Sequence, residues 1–335
     1  MKKYICNINI HPLIAVKKVR RCRKMTTILD VQQLYVHFPV SSTIIRAVDG
    51  VDITIKQSET LAVIGESGSG KSILGLAILV LLPANCTANG IIRYRGNNLL
   101  TLSENELETI RGRKIAWVPQ NPAGAMNPLM TVGNQIGEPI FLHIEKDKNK
   151  VRKKVLELLQ FIKITPPEER IDSYPYSFSG GMLQRSLVAM GIAGRPEILI
   201  ADEPTKGIDV MNKQAILSIF QTLHEEGITL VIITHDLLFA RNIADRIAVM
   251  YCGRIIEIRR KQEFFNEPLH PYSRGLLRSL PENGLYPIPS GTEEIGDDGG
   301  CKFRSRCTCA TERCREEPPL ITLLEGSAVR CWLYD

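Results

Sequence analysis

Short, predominantly apolar runs punctuate the chain, and they fall into two length classes. Thr60–Ile64 (TLAVI), Ile115–Pro119 (IAWVP), Ile198–Ala201 (ILIA) and the run from Ile228 that ends at His235–Asp236 (ITLVIITHD) are strand-length. A continuous apolar run without period-two alternation is the pattern of a strand covered on both faces, as in a parallel sheet. Ile73–Leu82 (ILGLAILVLL) is longer and predicts an apolar helix. Val151–Ile162 (VRKKVLELLQFI) repeats apolar residues at helical spacing, and Pro166–Pro167 is expected to break it. Together these elements predict an α/β chain. Pro281–Gly291 (PENGLYPIPSG) is a Pro/Gly-rich linker toward the C-terminal end.

Length and charge refine this picture. The 335 residues suit one large domain plus an appendage, and the 44% hydrophobic content is ordinary for a globular protein. No apolar run reaches the roughly 18 residues of a membrane span. The net charge of +6 is misleading. Residues 1–24 hold eight Lys or Arg and no acid, leaving 34 basic against 36 acidic residues in the rest, a net −2. That argues against a nucleic-acid-binding surface spread over the domain.

The candidate chemistry sits at the ends of the apolar runs. Gly65-Glu66-Ser67-Gly68-Ser69-Gly70-Lys71-Ser72 fits G-x-x-x-x-G-K-[ST], between the strand at 60–64 and the helix at 73–82. Its glycines let backbone N–H groups point at phosphate oxygens, and the helix start adds partial positive charge. Lys71 is expected to reach the β- and γ-phosphates and Ser72 to ligate Mg²⁺. ILIA delivers Asp202 and Glu203 to the C-terminal edge of a strand, where ligands bind in open α/β folds. The competing reading of such carboxylates, a helix cap or surface acid, is weak directly after four apolar residues.

The run Tyr176–Arg185 (YSFSGGMLQR) stands just before ILIADEP and decides which nucleotide-binding class this is. With it, roughly residues 30–260 resemble the ABC ATPases, whose signature motif is close to LSGGQ. The resemblance implies a P-loop core with a RecA-like parallel sheet flanked by helices, an antiparallel β subdomain and a helical subdomain over about 122–185. It implies Asp202 as the Walker-B acid holding Mg²⁺ and Glu203 as the base that polarises the attacking water. It implies His235 as the switch histidine, Gln120 as the Q-loop glutamine near Mg²⁺, and Asp209 as the D-loop aspartate. Phe38 stands where the adenine ring stacks in the family, with Tyr35 as competitor and a plain core role open for both. Ser179, Gly180, Gly181 and Met182 would cap ATP held by a second ATPase subunit, so one set of motifs implies a dimer. Three spellings depart from the family: Ser58 for a usual glycine, Phe178 for Leu, and KGID in the D-loop.

The C-terminal part is similar to the oligopeptide, dipeptide and nickel importer branch, through Glu267–Pro281 (EPLHPYSRGLLRSLP) and a cysteine set. Five of nine cysteines lie in the last 35 residues, and Cys301, Cys307, Cys314 and Cys331, spaced x5, x6, x16, match the branch, with Cys309 extra. The expected occupant is a 4Fe–4S cluster, with zinc next and two disulfides last in a reducing compartment. The chain divides accordingly into 1–24, 25–265 and 266–335. Residues 1–24 read as a mis-called start before Met25 or an unstructured tail, ahead of a lipid-binding arm. The implied setting is the cytoplasmic face of the membrane, with a second ATPase, two permeases and an extracytoplasmic binding protein. M-x-Q-R and Asn127–Pro128 look like the first, D-type ATPase of a peptide system, which favours a heterodimer over a homodimer. ATP and Mg²⁺ are the implied cofactors, and peptides the cargo. The alternatives are nickel and a non-transport ABC ATPase.

Overall fold

The strand β3 (Thr60–Ile64) is buried at every residue, as are β7 (Ile198–Asp202) and β8 (Thr229–Thr234). Such strands stabilise only when both faces are covered, each large aliphatic side chain contributing about 1.5–3 kcal/mol on burial. The computed structural model describes residues 26–40, 43–289, 299–323 and 326–335. The expectations for residues 1–24 lie outside that range. In it, β3 and β8 are neighbours inside an eight-stranded sheet, with β9 (Arg246–Tyr251) beside β3, and β7 then β6 (Ile115–Val118) beside β8. All four of these contacts are parallel.

Register fixes where the site forms. Ile64 pairs with Thr234, Asp202 with Ile233 and Val118 with Ala201. The C-terminal ends of β3, β6, β7 and β8 therefore align along one edge, which puts the next residues of all four strands side by side. The sheet extends through β10 (Arg254–Arg260), antiparallel to β9 across a two-residue turn at Cys252 and Gly253, both with positive φ. It ends with β11 (Ile321–Thr322) and β12 (Ala328–Val329), the latter paired to β10. The cysteine-rich end is thus stitched into the same sheet as the P-loop strand. A second, antiparallel sheet runs β2 (Thr43–Lys56), β1 (Thr27–Val40), β4 (Thr87–Tyr94), β5 (Asn97–Asn98).

Helices α1 (Lys71–Ile78) and α2 (Glu104–Ile110) precede a run of four: α3 (Pro122–Ala125), α4 (Val132–His143), α5 (Lys148–Phe161) and α6 (Pro167–Arg170). These pack on α7 (Gly180–Ala193) through a core that includes Ile136, Ile140, Val155, Leu159 and Val188. The chain then adds α8 (Val210–Glu225), α9 (Leu237–Ile243), α10 (Lys261–Asn266) and α11 (Pro271–Arg278). No helix among the described residues is long and apolar enough to cross a membrane.

Two helix ends differ from expectation for one reason. α1 stops at Ile78, short of Leu82, because Val80 takes φ 53 and the N–H groups of Val80 and Leu81 return to the carbonyls of Ala77 and Leu76. α5 stops before Pro166–Pro167, because Lys163 takes φ 58 and the N–H groups of Lys163 and Ile164 return to Gln160 and Leu159. Both are Schellman closures, normally marked by glycine. Here the left-handed residue carries a side chain, so the usual sequence signal is missing.

Candidate nucleotide-binding and hydrolysis site

The loop Gly65–Ser72 is walled in by its own chain. A Cβ on Gly65 would lie 2.1 Å from the Met250 carbonyl oxygen, and one on Gly70 2.0 Å from that of Ala47. Gly70, with φ 100, is the N-cap of α1, so the loop passes into the helix through a conformation that side chains disfavour. The Lys71 ammonium folds over the loop and donates to the carbonyls of Gly65 (2.8 Å) and Glu66 (2.7 Å) and to Ser69 Oγ (3.3 Å). Burial lowers its pKa, and the carboxylates of Glu203, Asp202 and Glu66 oppose that shift.

Asp202 and Glu203 stand where β7 ends. Burial raises the Asp202 pKa, against a hydrogen bond from Ser72. Asp202 Oδ1 is buried and has no hydrogen-bond partner among the described residues. An orphaned carboxylate oxygen beside the Ser72 hydroxyl suits a hard cation such as Mg²⁺, which takes oxygen ligands. Glu203 adopts φ 48, a strained conformation for a residue with a side chain, and its N–H donates to the Ile233 carbonyl at 2.8 Å. Its Oε1 lies 2.8 Å from His235 Nδ1, and its other oxygen takes longer contacts from the His235 N–H and the Thr234 hydroxyl, both 3.4 Å. With the carboxylate as acceptor, Nδ1 carries the imidazole proton and Nε2 is left free. Gln120 comes just after β6 at the same sheet edge and is half-buried.

The signature residues lie apart from this cluster. Ser179 caps α7, its Oγ accepting from the Met182 N–H at 3.3 Å. A Cβ on Gly180 would meet nothing within 4 Å, whereas one on Gly181 would strike the Asn212 side chain at 2.3 Å. Asp209 caps α8 and grips that same Asn212, through its N–H at 2.9 Å and its amide at 2.6 Å. Among the described residues no hydrogen bond or ion pair joins Ser179–Met182 to the loop at 65–72. Phe38 is half-buried, packs on the core beneath the antiparallel sheet and pairs across the hairpin with Ile45. The Tyr35 hydroxyl donates to Gln33 Oε1 at 3.1 Å.

Two of the three departures from the family pattern are accommodated by the structure. Ser58 takes φ 61, the conformation its missing glycine would favour, and its Oγ donates to the Gly227 carbonyl at 2.9 Å. Phe178 is buried in the same core as α4, α5 and α7.

Cys301, Cys307, Cys314 and Cys331 are free thiols around one cavity of about 90 Å³, which Cys309 also lines. Cys307 Sγ receives the Cys309 N–H at 3.4 Å and Cys314 Sγ the Thr311 N–H at 3.5 Å, and burial raises the thiol pKa of Cys301, Cys307 and Cys331. Among the described residues no three Cys, His, Asp or Glu side chains form a set that could hold a metal ion. The sequence spacing brings the thiols to one cavity and does not close them to ligating geometry.

One contact had no sequence signal. Glu66, the second residue of the loop, is held by Arg306 and Tyr272, 240 and 206 positions away.

Comparison with known proteins agrees with this architecture. Residues 48–206 match the ABC transporter family, and residues 256–314 the oligopeptide/dipeptide transporter C-terminal region. The chain is 38% identical over 320 residues to a probable peptide ABC transporter ATP-binding protein of Sinorhizobium fredii, covering 92% of this chain and 96% of the relative. It is 39% identical over 321 residues to the dipeptide transport ATP-binding protein DppD of Bacillus subtilis, covering 93% and 96%. Among solved structures, the dimeric ATP-binding cassette MJ0796 in a post-hydrolysis state bound to ADP and Pi superposes with a TM-score of 0.63 at 27% identity, covering 70% of this chain and 98% of that one. With these likenesses running along nearly the whole chain, it belongs to the ATP-binding proteins of the ABC transporter family, in the branch that carries the oligopeptide/dipeptide transporter C-terminal region.

Proposed function

We propose that this chain is the ATP-hydrolysing subunit of an importer that brings peptides into the cell. The observation that carries the hydrolytic part is the 2.8 Å contact between Glu203 and His235, beside Asp202 and Lys71 at one sheet edge. Lys71 and the N–H groups of Gly65–Ser72 bind the β- and γ-phosphates. Ser72, Asp202 and Gln120 are the Mg²⁺ side of the site. A bound Mg²⁺ supplies charge neutralisation at the phosphate oxygens. Glu203 takes the proton of the attacking water, and His235 fixes that carboxylate through Nδ1–H; only the imidazolium form, with a second proton on Nε2, also donates to the γ-phosphate. Phe38 stacks on the adenine, with Tyr35 as the alternative.

Ser179, Gly180, Gly181 and Met182 act on ATP held by a second ATPase subunit, which the open space over Gly180 supports. Asp209 serves that interface through Asn212. A non-identical partner is favoured by the M-x-Q-R spelling. The assembly lies on the cytoplasmic face of the membrane, with two permeases and an extracytoplasmic binding protein. Peptides are favoured over nickel because the relatives at 38–40% identity are named for peptide or dipeptide transport.

The four cysteines hold a metal–thiolate centre in this reading. The resemblance to the importer branch is what ranks a 4Fe–4S cluster ahead of zinc for it. Cys314→Ser should lower bound iron and sulfide; the same iron and sulfide content as wild type would remove the assignment.

Glu203→Gln tests the hydrolytic role. ATP turnover should fall by about 10²–10⁴-fold, with ATP still bound and a dimer retained. Hydrolysis at the wild-type rate would falsify the general-base role. Uptake of labelled dipeptide, longer peptide and nickel by cells whose only copy carries Glu203→Gln then tests the cargo. Loss of nickel uptake alone would overturn the peptide reading.

A further inference from the structure

The phosphate loop contains a carboxylate of its own. Glu66 stands next to Gly65, its carbonyl accepts from Lys71, and its carboxylate acts electrostatically on that ammonium. In a loop built to cradle several negative charges, a free carboxylate is unfavourable. The C-terminal region meets it. Arg306 donates in bidentate fashion, Nη1 to Oε2 and Nη2 to Oε1, both at 3.0 Å. The Tyr272 hydroxyl accepts from the Glu66 N–H at 3.0 Å.

Arg306 is itself held in place. Its Nε donates to the Pro289 carbonyl at 2.9 Å and its Nη1 reaches the Tyr251 hydroxyl at 3.3 Å. The guanidinium lies over the rings of Tyr251 and Phe303, at 5.7 and 5.8 Å. Tyr251, Tyr272 and Phe303 pack on one another with ring centroids 4.7–5.4 Å apart. The Arg306 side chain is only 10% exposed, against 37% for Glu66. This is a rigid fork aimed at one carboxylate, which a lysine could not reproduce.

We propose that Arg306 is a positioning residue for ATP binding: it neutralises the phosphate loop's own Glu66 and, with Tyr272, fixes the second peptide of that loop. The C-terminal region is thereby a working part of the nucleotide site. The proposal rests on the reading that Gly65–Ser72 binds ATP, and Lys71→Ala checks that reading independently.

The experiment is equilibrium binding of a fluorescent ATP analogue with Mg²⁺ to the purified full chain. Arg306→Met keeps the apolar stem over Tyr251 and Phe303 and removes the charge. It should weaken binding roughly threefold to thirtyfold, the scale of a charge-assisted pair that is partly exposed. Glu66→Gln removes the carboxylate and leaves the Arg306 charge beside the loop, so ATP should bind more tightly than to wild type. The double variant Arg306→Met with Glu66→Gln removes both charges and should return to about the wild-type level. A merely structural role gives no such rescue. Arg306→Lys keeps the charge without the fork and should fall between wild type and Arg306→Met.

Unchanged affinity in Arg306→Met, while Lys71→Ala weakens binding, would overturn the proposal and leave the site reading standing. A double variant as weak as Arg306→Met alone would overturn it too. So would failure of both Arg306→Met and Arg306→Lys to fold, since Arg306 would then be a strut. Unchanged affinity in Lys71→Ala would instead sink the underlying site.

Discussion

Two glycine-rich loops open helices in this chain, and they are built on opposite logic. At Gly65–Ser72 two of the three glycines are pressed against backbone, Gly65 on Met250 and Gly70 on Ala47, while Gly68 is open. At Ser179–Met182 the cap is a serine in extended conformation, and Gly180 faces open space. The first loop is completed within one chain, by Lys71, Asp202 and Glu203. The second has no such complement among the described residues. Gly65 and Gly70 serve the fold; Gly180, in the proposed reading, leaves room for a group that approaches from outside. Similar composition at two helix starts therefore implies different consequences when it is altered.

The largest expected effect belongs to the first case. Gly70→Ala puts a methyl group 2.0 Å from the Ala47 carbonyl at φ 100, which neither backbone can relieve cheaply. The cost should exceed about 3 kcal/mol, and ATP binding should be lost. Urea unfolding and nucleotide binding measure both, and wild-type values in either would break the comparison. Next in size is Gly180→Ala. Its methyl group meets nothing in this chain, so stability and ATP affinity should match wild type. Turnover should still fall by about a hundredfold, the scale of losing one charge-stabilising contact. A variant that hydrolyses ATP normally would mean that nothing closes over Gly180.

Much of this contrast was legible in the sequence, for reasons that can be named. The apolar runs ending at Ile64, Val118, Ala201 and Thr234 are buried parallel strands, and parallel register aligns the residues just beyond their C-terminal ends. Lys71, Asp202, Glu203 and His235 could therefore be brought together from sequence. Helix ends were less legible, because Val80, Lys163 and Arg195 take left-handed conformations that glycine usually announces. The grip of Asp209 on Asn212 beneath Gly181 depends on a side chain outside any motif. Arg306 on Glu66 is a pair 240 residues apart, with no periodicity to betray it. The cysteine spacing located one cavity but not its closure.

A third helix start extends the comparison into pH. α11 is capped by His270, whose Nδ1 accepts from the Tyr272 N–H at 3.1 Å and so must be unprotonated. Burial, assisted by Arg274, lowers its pKa to about 3. Nearby, Glu257 accepts the N–H groups of Leu269 and His270, and Phe303 lies against the ring. The unfolded chain protonates this histidine near pH 6.5, well above the folded chain. Its contribution to stability is therefore complete above about pH 6.5 and is lost as pH falls toward 3. Burial also raises the Glu257 pKa, but that carboxylate is common to both chains in a comparison with His270→Asn. Denaturation curves should show wild type losing stability relative to His270→Asn as pH drops. Parallel curves from pH 7 to pH 4 would rule out the neutral-imidazole cap.

The smallest effect is the sharpest test of the role the glycines play. Ser58 holds φ 61 with a side chain, just before the strand that carries the phosphate loop. Its N–H donates to Thr229 Oγ1 and its hydroxyl to the Gly227 carbonyl, both at 2.9 Å. Ser58→Gly relieves about 1 kcal/mol of left-handed strain and removes a hydrogen bond worth about 0.5–1.5 kcal/mol. The two nearly cancel, so unfolding should shift by less than about 1 kcal/mol in either direction. Gly70→Ala and Ser58→Gly exchange the same two kinds of residue at positive φ, yet their costs should differ several-fold. The difference lies in the wall: Ala47 and Met250 press on the phosphate loop, while Ser58 meets Gly227 through a hydrogen bond. A large destabilisation in Ser58→Gly would mean that the hydrogen bond, not the backbone angle, governs this turn.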